Sequence, residues 1–413
     1  MADVAAGARV RPPDAAGARR ALGVACGAHA VHDGYTDLLL LLLPIWQAAF
    51  GLGYAEIGTL RSLYVGTMAS LQIPAGWFAD RVGLILVLAA GTIVAGSGFA
   101  LAASSDGYVV LAAALVLGGI GASVQHPIAS SIVARAYDGL RSRTALGTYN
   151  FAGDVGKMVL PAATALLLTL LPWRTTLWLL ALVGILGGVL ILAMAPAFLR
   201  RRRDAPAPDA APRAAAAAAG TAPAHRAPRY GFPVLFSIGV LDSATRGGFL
   251  TFLPFLLTAK GASLPTVGLA LTLVFAGGAA GKLICAQLGA RLGVLTTVLL
   301  TEGLTAGGIL ALLPLPVEAG VLLLPLIGVA LNGTSSVIYG SVPELVPESA
   351  RTRSFGIFYT GTIGASAVAP VIYGMFGDAL GVPMTMTIIA GLVLATLPLA
   401  VVLNPALPRR AAS

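Results

Sequence analysis

Long apolar stretches, separated by short polar connections, follow one another along almost the whole chain. Each stretch holds about 20 residues or more, which is the length that an α-helix needs to cross about 30 Å of hydrocarbon. The pattern predicts twelve transmembrane helices, over residues 21–49, 57–80, 84–104, 108–136, 144–171, 175–198, 231–258, 265–290, 294–314, 318–346, 354–377 and 381–404. The predicted fold class is therefore an all-α membrane protein.

A stretch rich in Ala, Pro and Arg separates the sixth predicted helix from the seventh. It has no apolar periodicity, and its composition is typical of a disordered linker. We predict a cytosolic tail over 1–20, a six-helix bundle over 21–198, a cytosolic linker over 199–230, a second six-helix bundle over 231–404 and a cytosolic tail over 405–413.

The two predicted bundles resemble each other. A shift of 210 residues places Pro44 on Pro254, Gly58 on Gly268, Arg81 on Arg291, Gly83 on Gly293, Arg141 on Arg351 and Arg143 on Arg353, and a shift of 209 places Pro161 on Pro370. The order of helices and loops also agrees, as parallel six-helix repeats require. We expect two pseudo-repeats with a cavity between them.

The composition excludes a soluble enzyme. Hydrophobic residues make up 57% of the chain, charged residues 10%, and the mean hydropathy is +0.88, whereas a soluble domain carries roughly 25% charged residues. Neither a cofactor nor an oligomer is expected. The glycine-rich stretches lack a Gly-Lys-Ser/Thr sequence, so uphill transport by this chain requires an ion gradient or a separate ATPase.

The basic residues predict the orientation. With both termini cytoplasmic, the outer loops hold only Arg174 and Lys260, four of the 26 basic residues lie within spans, and the others fall on the inner side. This asymmetry follows the positive-inside rule. The net charge of +9 then reflects inner loops that face anionic lipid and requires no nucleic-acid partner. An Ala- and Arg-rich chain without a targeting signal is expected in a bacterial inner membrane.

Charged residues within the predicted spans are the main indication of function. They are Asp33, Asp37, Arg61, Asp154, Lys157, Asp242, Arg246, Lys282, Glu302 and Glu344. A charge at mid-bilayer costs at least ~2.5–3.5 kcal/mol, so such residues usually line a water-filled path or pair with one another. This pattern is typical of a transporter. Glu302 and Glu344 are expected near span ends, where both reach the membrane interface.

The first span places a polar group on one helix face. His29, Asp33 and Asp37 are spaced i, i+4 and i+8, with His32 on the flank. A buried carboxylate with a neighbouring cation can bind a proton in one conformation and release it in another. Proton coupling through Asp33, Asp37, His32 and Asp154 is one reading, and structural ion pairing is a second. A transition-metal site at His29, His32, Asp33 and Asp37 is the third.

Other polar residues are candidates for substrate binding. They are Arg61, Tyr64, Gln125, His126, Asn150, Lys157, Asp242, Arg246, Lys282, Asn332 and Tyr359. The alternative for each is a structural role, since one or two polar residues per span commonly join helices. Asp154 and Lys157 can neutralise each other, as can Asp242 and Arg246. Arg61 needs a partner on another helix or on an anionic substrate.

Two sets of motifs carry a family resemblance. The segment Gly76-Trp-Phe-Ala-Asp80-Arg81-Val-Gly83 resembles the signature loop of the major facilitator superfamily, although Leu84 and Ile85 replace its basic tail. The resemblance implies that Asp80 and Arg81 contribute to a charge latch at the cytoplasmic side. Three blocks resemble the fosmidomycin-resistance group: His29-x-x-x-Asp33 with Pro44, Tyr54-Ala-Glu56-Ile-Gly58, and Ser123-Val-Gln-His126-Pro127. This second resemblance implies proton-coupled drug efflux.

The predicted function is proton-coupled export of a small organic solute or drug, by a monomer whose two bundles rock in the bilayer. Uptake of an organic anion is one alternative, favoured if Arg61, Lys157, Arg246 and Lys282 converge. Transition-metal transport through the His and Asp residues of the first helix is another. A non-transporting sensor or assembly factor is the last.

Overall fold

The computed structural model describes residues 14–200 and 228–407, which are almost entirely helical. The first half contains α1 (Ala15–Phe50), α2 (Tyr54–Val82), α3 (Leu84–Ala103), α4 (Tyr108–Ala122), α5 (Gln125–Ala136), α6 (Gly139–Leu170), α7 (Trp173–Met194) and the short α8 (Ala197–Arg200). The second half contains α9 (Gly231–Ala259), α10 (Leu264–Leu292), α11 (Val294–Leu312), α12 (Val317–Leu345), α13 (Arg351–Leu380), α14 (Val382–Leu394) and α15 (Thr396–Leu403). Residues 1–13 of the first predicted tail, most of the predicted linker and residues 408–413 of the second tail lie outside the described residues.

The twelve predicted spans are confirmed as helical, with differences in their bounds. The first helix begins at Ala15, inside the predicted tail, because the Asp14 side chain accepts a hydrogen bond from Gly17 N at 2.8 Å and caps it. The fourth span is divided into α4 and α5, and the twelfth into α14 and α15. Pro127 and Pro398 lack the N–H that would bond the carbonyl four residues earlier, which accounts for both interruptions.

Nine helical segments among the described residues are long and apolar enough to cross a membrane by length and hydropathy alone. The remaining long helices, α1, α2 and α9, carry five of the ten intramembrane charges that the sequence singled out: Asp33, Asp37, Arg61, Asp242 and Arg246. The other five lie on α6, α10, α11 and α12.

Within the first half, α3 packs against α4 and α7, and α1 packs against α6. The contact between α1 and α6 is very close, since a Cβ atom added at Gly156 would lie 2.0 Å from the Ala30 carbonyl oxygen. Small residues allow such approach between membrane helices. The second half has α12 against α10 and α11, and α9 against α13.

The halves meet mainly through two helix pairs, α2 with α13 and α6 with α10, with smaller contacts of α1 to α9 and α10. The Ser62 hydroxyl donates to the Ala367 carbonyl, and the Thr272 hydroxyl donates to the Met158 carbonyl at 3.0 Å. A shift of 210 residues relates the two donors, and a shift of 209 relates the two acceptors. The same bond thus occurs twice, once on each side of the pseudo-two-fold axis.

A carboxylate adds a third contact at one end of the molecule. Asp378, near the end of α13, accepts hydrogen bonds from the backbone N–H groups of Tyr54 at 2.6 Å and Ala55 at 3.0 Å. These N–H groups begin α2, where a negative charge is favourable. We call this end, formed by the start of α2 and the end of α13, the closed end.

Away from the closed end the halves separate. Asn150 of α6 is exposed, and Tyr359 of α13 is 44% exposed. A Cβ atom added at Gly356 or Gly364 of α13 would have no neighbouring atom within 4 Å. A cleft therefore lies between the halves and opens at the end opposite Asp378.

Gly58 tests the importance of the closed-end packing. A Cβ atom at Gly58 would lie 2.1 Å from the Pro370 carbonyl oxygen, whereas one at Gly66 on the same helix meets no atom within 4 Å. Overpacking costs about 1–3 kcal/mol, which corresponds to roughly a fivefold to hundredfold change in an equilibrium. We expect Gly58→Ala to shift the protein toward separated closed ends.

The measurement is the distance between spin labels on Ala49→Cys and Ala259→Cys, in a background without Cys26 and Cys285. Gly58→Ala should give a longer distance population, and Gly66→Ala should match the parent. Equal distributions for the two glycine variants would show that the packing at Gly58 does not hold this end closed.

Candidate functional site

The polar face of α1 is buried against α5 and α6. His29, His32, Asp33 and Asp37 are each between 4% and 7% exposed. Gly153 of α6 makes room for them, since a Cβ atom there would lie 2.5 Å from Asp33 Oδ2 and 2.7 Å from His29 Cε1. The glycine at this position therefore lets α6 approach this face of α1 closely.

The hydrogen bond of His29 determines what its other ring nitrogen can do. His29 Nδ1 lies 2.8 Å from the Tyr149 carbonyl oxygen, which only accepts, so Nδ1 carries a proton. His29 Nε2 lies 3.3 Å from Asp33 Oδ1 and has no hydrogen-bond partner. Without a further proton, both of these facing atoms are acceptors. The space between them therefore fits one proton or one metal ion.

Asp33 is the centre of this group. Its Oδ2 lies 3.3 Å from Lys157 Nζ, and its Oδ1 lies 3.8 Å from His32 Nε2. The His126 ring meets the His29 and His32 rings edge-on, with centroids 5.3 and 4.8 Å away. Three imidazoles and one ammonium group thus surround one carboxylate.

Three of these side chains have the geometry of a metal site. Ligand atoms of His29, Asp33 and His126 all lie within 4.8 Å of one another. The set differs from the predicted His29, His32, Asp33 and Asp37, because Asp37 faces α2 instead. His126 joins the group because α5 packs against α1, which helix periodicity alone does not reveal.

Arg61 has the partner on another helix that its sequence neighbourhood required. Its Nη2 lies 3.9 Å from Asp37 Oδ1, and its Nη1 donates to the Thr36 carbonyl at 3.1 Å. A small cavity of about 10 Å³ lies close by, lined by His32, Tyr64 and Gln125 among others. Tyr64 and Gln125 are 1% and 2% exposed and face this cavity rather than the cleft.

Asp154 and Lys157 do not neutralise each other in this structure. Lys157 turns toward Asp33, while both oxygens of Asp154 accept from Lys282 Nζ, at 2.7 and 2.9 Å. The reading of an internal pair is therefore wrong, because each side chain reaches a partner on another helix. Lys282 belongs to α10, so this ion pair joins the two halves.

The second half has its own ion pair. Arg246 Nη2 donates to Asp242 Oδ2 at 2.7 Å and to Ser335 Oγ at 2.7 Å, which is the pairing expected from the i, i+4 spacing. Glu302 lies in the middle of α11 and is 1% exposed. The expectation that Glu302 reaches the membrane interface is wrong, since the residue packs inside the bundle.

The remaining candidates are distributed over the structure. Asn332 donates to the Gly328 carbonyl of its own helix at 3.2 Å, whereas Asn150 of α6 and Tyr359 of α13 are exposed. Asp80 lies at the exposed end of α2, with its Oδ1 3.8 Å from Arg135 Nη2 of α5. Because α5 is also in the first half, this contact does not join the halves, as expected when the cleft is open at that end.

Sequence reasoning missed one feature of the site. The Tyr149 carbonyl, which sets the protonation of His29, is a backbone group that no side-chain motif marks. Glu302 was recognised as an intramembrane charge but was placed at a span end, although its position in the middle of the span was visible in the sequence.

Comparison with known proteins agrees with this architecture. A bacterial homologue of the human lysosomal transporter Spinster, in an inward-facing and occupied conformation, has a similar fold, with a TM-score of 0.74 and 15% identity over 93% of this chain and 96% of that one. A peptide transporter in complex with sulfate also has a TM-score of 0.74, with 15% identity over 94% of each chain.

Curated relatives match in one part of the chain. The fosmidomycin resistance protein of Escherichia coli (strain K12) is 33% identical over 149 residues, which are 36% of this chain and 36% of that protein. A putative multidrug resistance protein, MdtD, of Yersinia enterocolitica is 26% identical over 168 residues, 41% of this chain and 36% of the relative. The aligned parts thus span about a third of each relative.

A family model matches both halves. The model of the Major Facilitator Superfamily covers residues 25–238 and 235–413. Together with the twelve spans, the two similar halves and the signature segment at Asp80, this match shows that the chain belongs to the major facilitator superfamily of membrane transporters.

Proposed function

We propose that this protein exports a small organic solute or drug across a bacterial inner membrane in exchange for protons, by alternating access. In the predicted orientation the closed end faces outward and the cleft opens to the cytoplasm, so this structure corresponds to the inward-facing state. The drug-resistance relatives support export, and fosmidomycin, named in one of them, is the first probe.

The contact between His29 Nε2 and Asp33 Oδ1 is the observation that carries the proposal. It provides a place for one proton on a buried carboxylate, beside a lysine that is 29% exposed and connects Asp33 to the cleft. A proton carrier needs both features: burial away from water, and contact with other charged groups that respond when its own charge changes.

Lys157 provides that route. It lies next to Asp33 and shares α6 with Asp154, whose carboxylate holds Lys282 of the other half. Protonation of Asp33 removes one charge that holds Lys157, and the anions that then remain near it are Asp37 and, at i−3 on the same helix, Asp154. Lys157 then competes with Lys282 for Asp154, so a proton at Asp33 weakens the link between the halves.

Asp33→Asn should abolish gradient-driven transport while leaving exchange of solute measurable. For one proton per solute, a gradient of about one pH unit supports about a tenfold concentration ratio, because about 1.4 kcal/mol is a factor of ten. In proteoliposomes loaded with labelled fosmidomycin, we expect the variant to reach a ratio of about one.

The control for this experiment is Asp106→Asn, which removes an exposed carboxylate outside the site. It should transport like the parent. If Asp33→Asn still accumulates fosmidomycin against its gradient, Asp33 is not the coupling group.

The Asp154–Lys282 pair should act through its charges rather than through its shape. Lys282→Met and Asp154→Asn are each expected to slow transport by weakening the contact between the halves, whereas the exchange Asp154→Lys with Lys282→Asp should restore much of it. The pair is half exposed on the lysine side, and exposed pairs contribute only about 0.2–1 kcal/mol.

Fosmidomycin efflux rates for both single variants and the double exchange provide the measurement. Recovery in the exchange variant would support a direct ion pair. A double variant that is as slow as the slower single variant would contradict this role of the pair.

The organic-anion alternative receives less support from the geometry. Arg61, Lys157, Arg246 and Lys282 were expected to converge on an anionic substrate. Each instead has a carboxylate partner of its own: Asp37, Asp33, Asp242 and Asp154, in that order. An anion would have to displace one of these carboxylates in order to bind.

Transition-metal transport is the second candidate function, and the His29, Asp33 and His126 ligand set favours it. Imidazole and carboxylate ligands suit several divalent ions, among them Zn²⁺. Lys157 opposes this reading, because its ammonium group lies beside the same carboxylate.

Thermal unfolding with Zn²⁺ tests the metal reading. A ligand that binds only the native state raises the free energy of unfolding, and with it the unfolding midpoint. At a free ligand concentration of 100 times its Kd, the gain is about 2.7 kcal/mol. If metal is the cargo, Zn²⁺ should stabilise the parent and Asp106→Asn but not His126→Ala. We expect Zn²⁺ to leave the unfolding midpoint of all three proteins unchanged. If Zn²⁺ raised the midpoint of the parent but not that of His126→Ala, metal transport would replace proton-coupled export as the proposed function.

A further inference from the structure

A second group of buried titratable side chains lies in the second half, remote in sequence from Asp33. Asp242 and Arg246 lie on α9, Glu302 on α11 and Ser335 on α12. We call these four residues the Glu302 cluster. Neither the proposed coupling through Asp33 nor the link between the halves uses Glu302.

The two acidic groups of the cluster lie beside the same point of α12. The Ser335 hydroxyl donates to Asp242 Oδ2 at 3.4 Å, and the adjacent Thr334 hydroxyl donates to that of Thr301, the chain neighbour of Glu302, at 2.7 Å. Glu302 Oε1 is buried and has no hydrogen-bond partner among the described residues. Two carboxyl groups that meet in an apolar interior can share a hydrogen bond only when one of them carries a proton.

The charges in the cluster lead to the same requirement. Arg246 supplies one positive charge, and it is already bonded to Asp242 at 2.7 Å. Two ionised carboxylates would leave one negative charge without a partner inside the bundle, which is very unfavourable in a medium of low polarity. Two neighbouring carboxyl groups relieve this by holding one proton between them.

Nearby helices provide no further compensating charge at this depth. The helices that pack against α11 are α10, α12, α14 and α15, and Asp242 belongs to α9. Their other titratable side chains, in the described part of the chain, are Lys260, Lys282, Cys285, Arg291, Glu318, Tyr339 and Glu344. Lys282 is bonded to Asp154, Lys260 donates to the Leu313 and Leu315 carbonyls, and the other charged groups lie toward helix ends.

The cluster also has a route to the cleft. The Arg246 side chain is 27% exposed while that of Asp242 is 5% exposed, so the arginine lies between the acidic pair and the cleft. The Glu302 cluster has equivalent positions in the first half, since a shift of 210 places His32 on Asp242 and Thr92 on Glu302. His32 and Thr92 both line the small cavity next to Arg61.

We propose that Asp242 and Glu302 together bind one proton and exchange it with the cleft past Arg246. This goes beyond the proposed function, because it assigns a second proton-binding site in the half opposite Asp33. The ligand is a proton, and neither carboxyl group binds it alone.

Infrared spectroscopy of the protein in lipid vesicles tests this directly, with the proton as the probe and without any solute. The parent at neutral pH should show the C=O band of a buried carboxylic acid, and Glu302→Gln should lose it. In D₂O the band of the parent should shift, because an exchangeable proton is replaced by a deuteron.

Asp242→Asn distinguishes a shared proton from a simple buried acid. With Asp242 neutral, Glu302 becomes the single counter-ion of Arg246 and ionises, so the band should again disappear. A band that persists in Asp242→Asn, that survives Glu302→Gln, or that does not shift in D₂O would overturn the proposal. Each variant must first show a cooperative thermal unfolding transition, and Glu302→Gln keeps the native shape.

Glu344→Gln is the matched control, because it makes the same substitution at another carboxyl in the second half. The carboxylic-acid C=O band of Glu344→Gln should equal that of the parent. Asp33→Asn should also retain the band that comes from the Glu302 cluster. The outcome is therefore independent of the proposed function: failure of coupling at Asp33 would leave the infrared result intact, and the reverse also holds.

Discussion

Every charge inside these bundles needs a partner, and this requirement organises the polar part of the structure. An unpaired ion in an apolar interior is very unfavourable, whereas a paired one is tolerated when further hydrogen bonds support it. Asp33, Asp37, Asp154 and Asp242 each face a lysine or arginine at 2.7–3.9 Å. These pairs determine which helix faces can meet, so the packing of α1 with α2 and α6 follows from them.

The contact between the halves has a symmetric and an asymmetric part. The bonds of Ser62 and Thr272 are equivalent under the repeat, and the close approaches at Gly58 and Gly268 are equivalent as well. Asp378 corresponds to Thr169 and Lys282 to Gln72, so neither ionic contact has a counterpart. The repeat thus provides the same helix packing at both interfaces, and each interface carries a charged contact of its own, Asp378 at α2–α13 and Asp154–Lys282 at α6–α10.

Sequence periodicity predicted the fold and the one-helix geometry of the site, but not the contacts between helices. The twelve spans and the shared face of His29 and Asp33 follow from residue spacing, and the i, i+4 pair of Asp242 and Arg246 forms as expected. Asp154 and Lys157 show the limit. At i, i+3 they can meet, yet partners on other helices offered better geometry, and a single sequence does not reveal which helices are neighbours.

The exposure of the ion pairs increases toward the boundary between the halves, and this gradient is what a moving protein requires. The Asp33 side chain is 9% exposed, and an ionised Asp33 without a partner would be very unfavourable, so its pair with Lys157 holds until a proton neutralises the carboxylate. Lys282 is 46% exposed, and water can solvate both ends of its pair with Asp154 when they separate. Strong electrostatic interactions therefore lie inside each bundle, where rigidity is needed. The weak one lies between the bundles, where the contact must break and form again in every cycle.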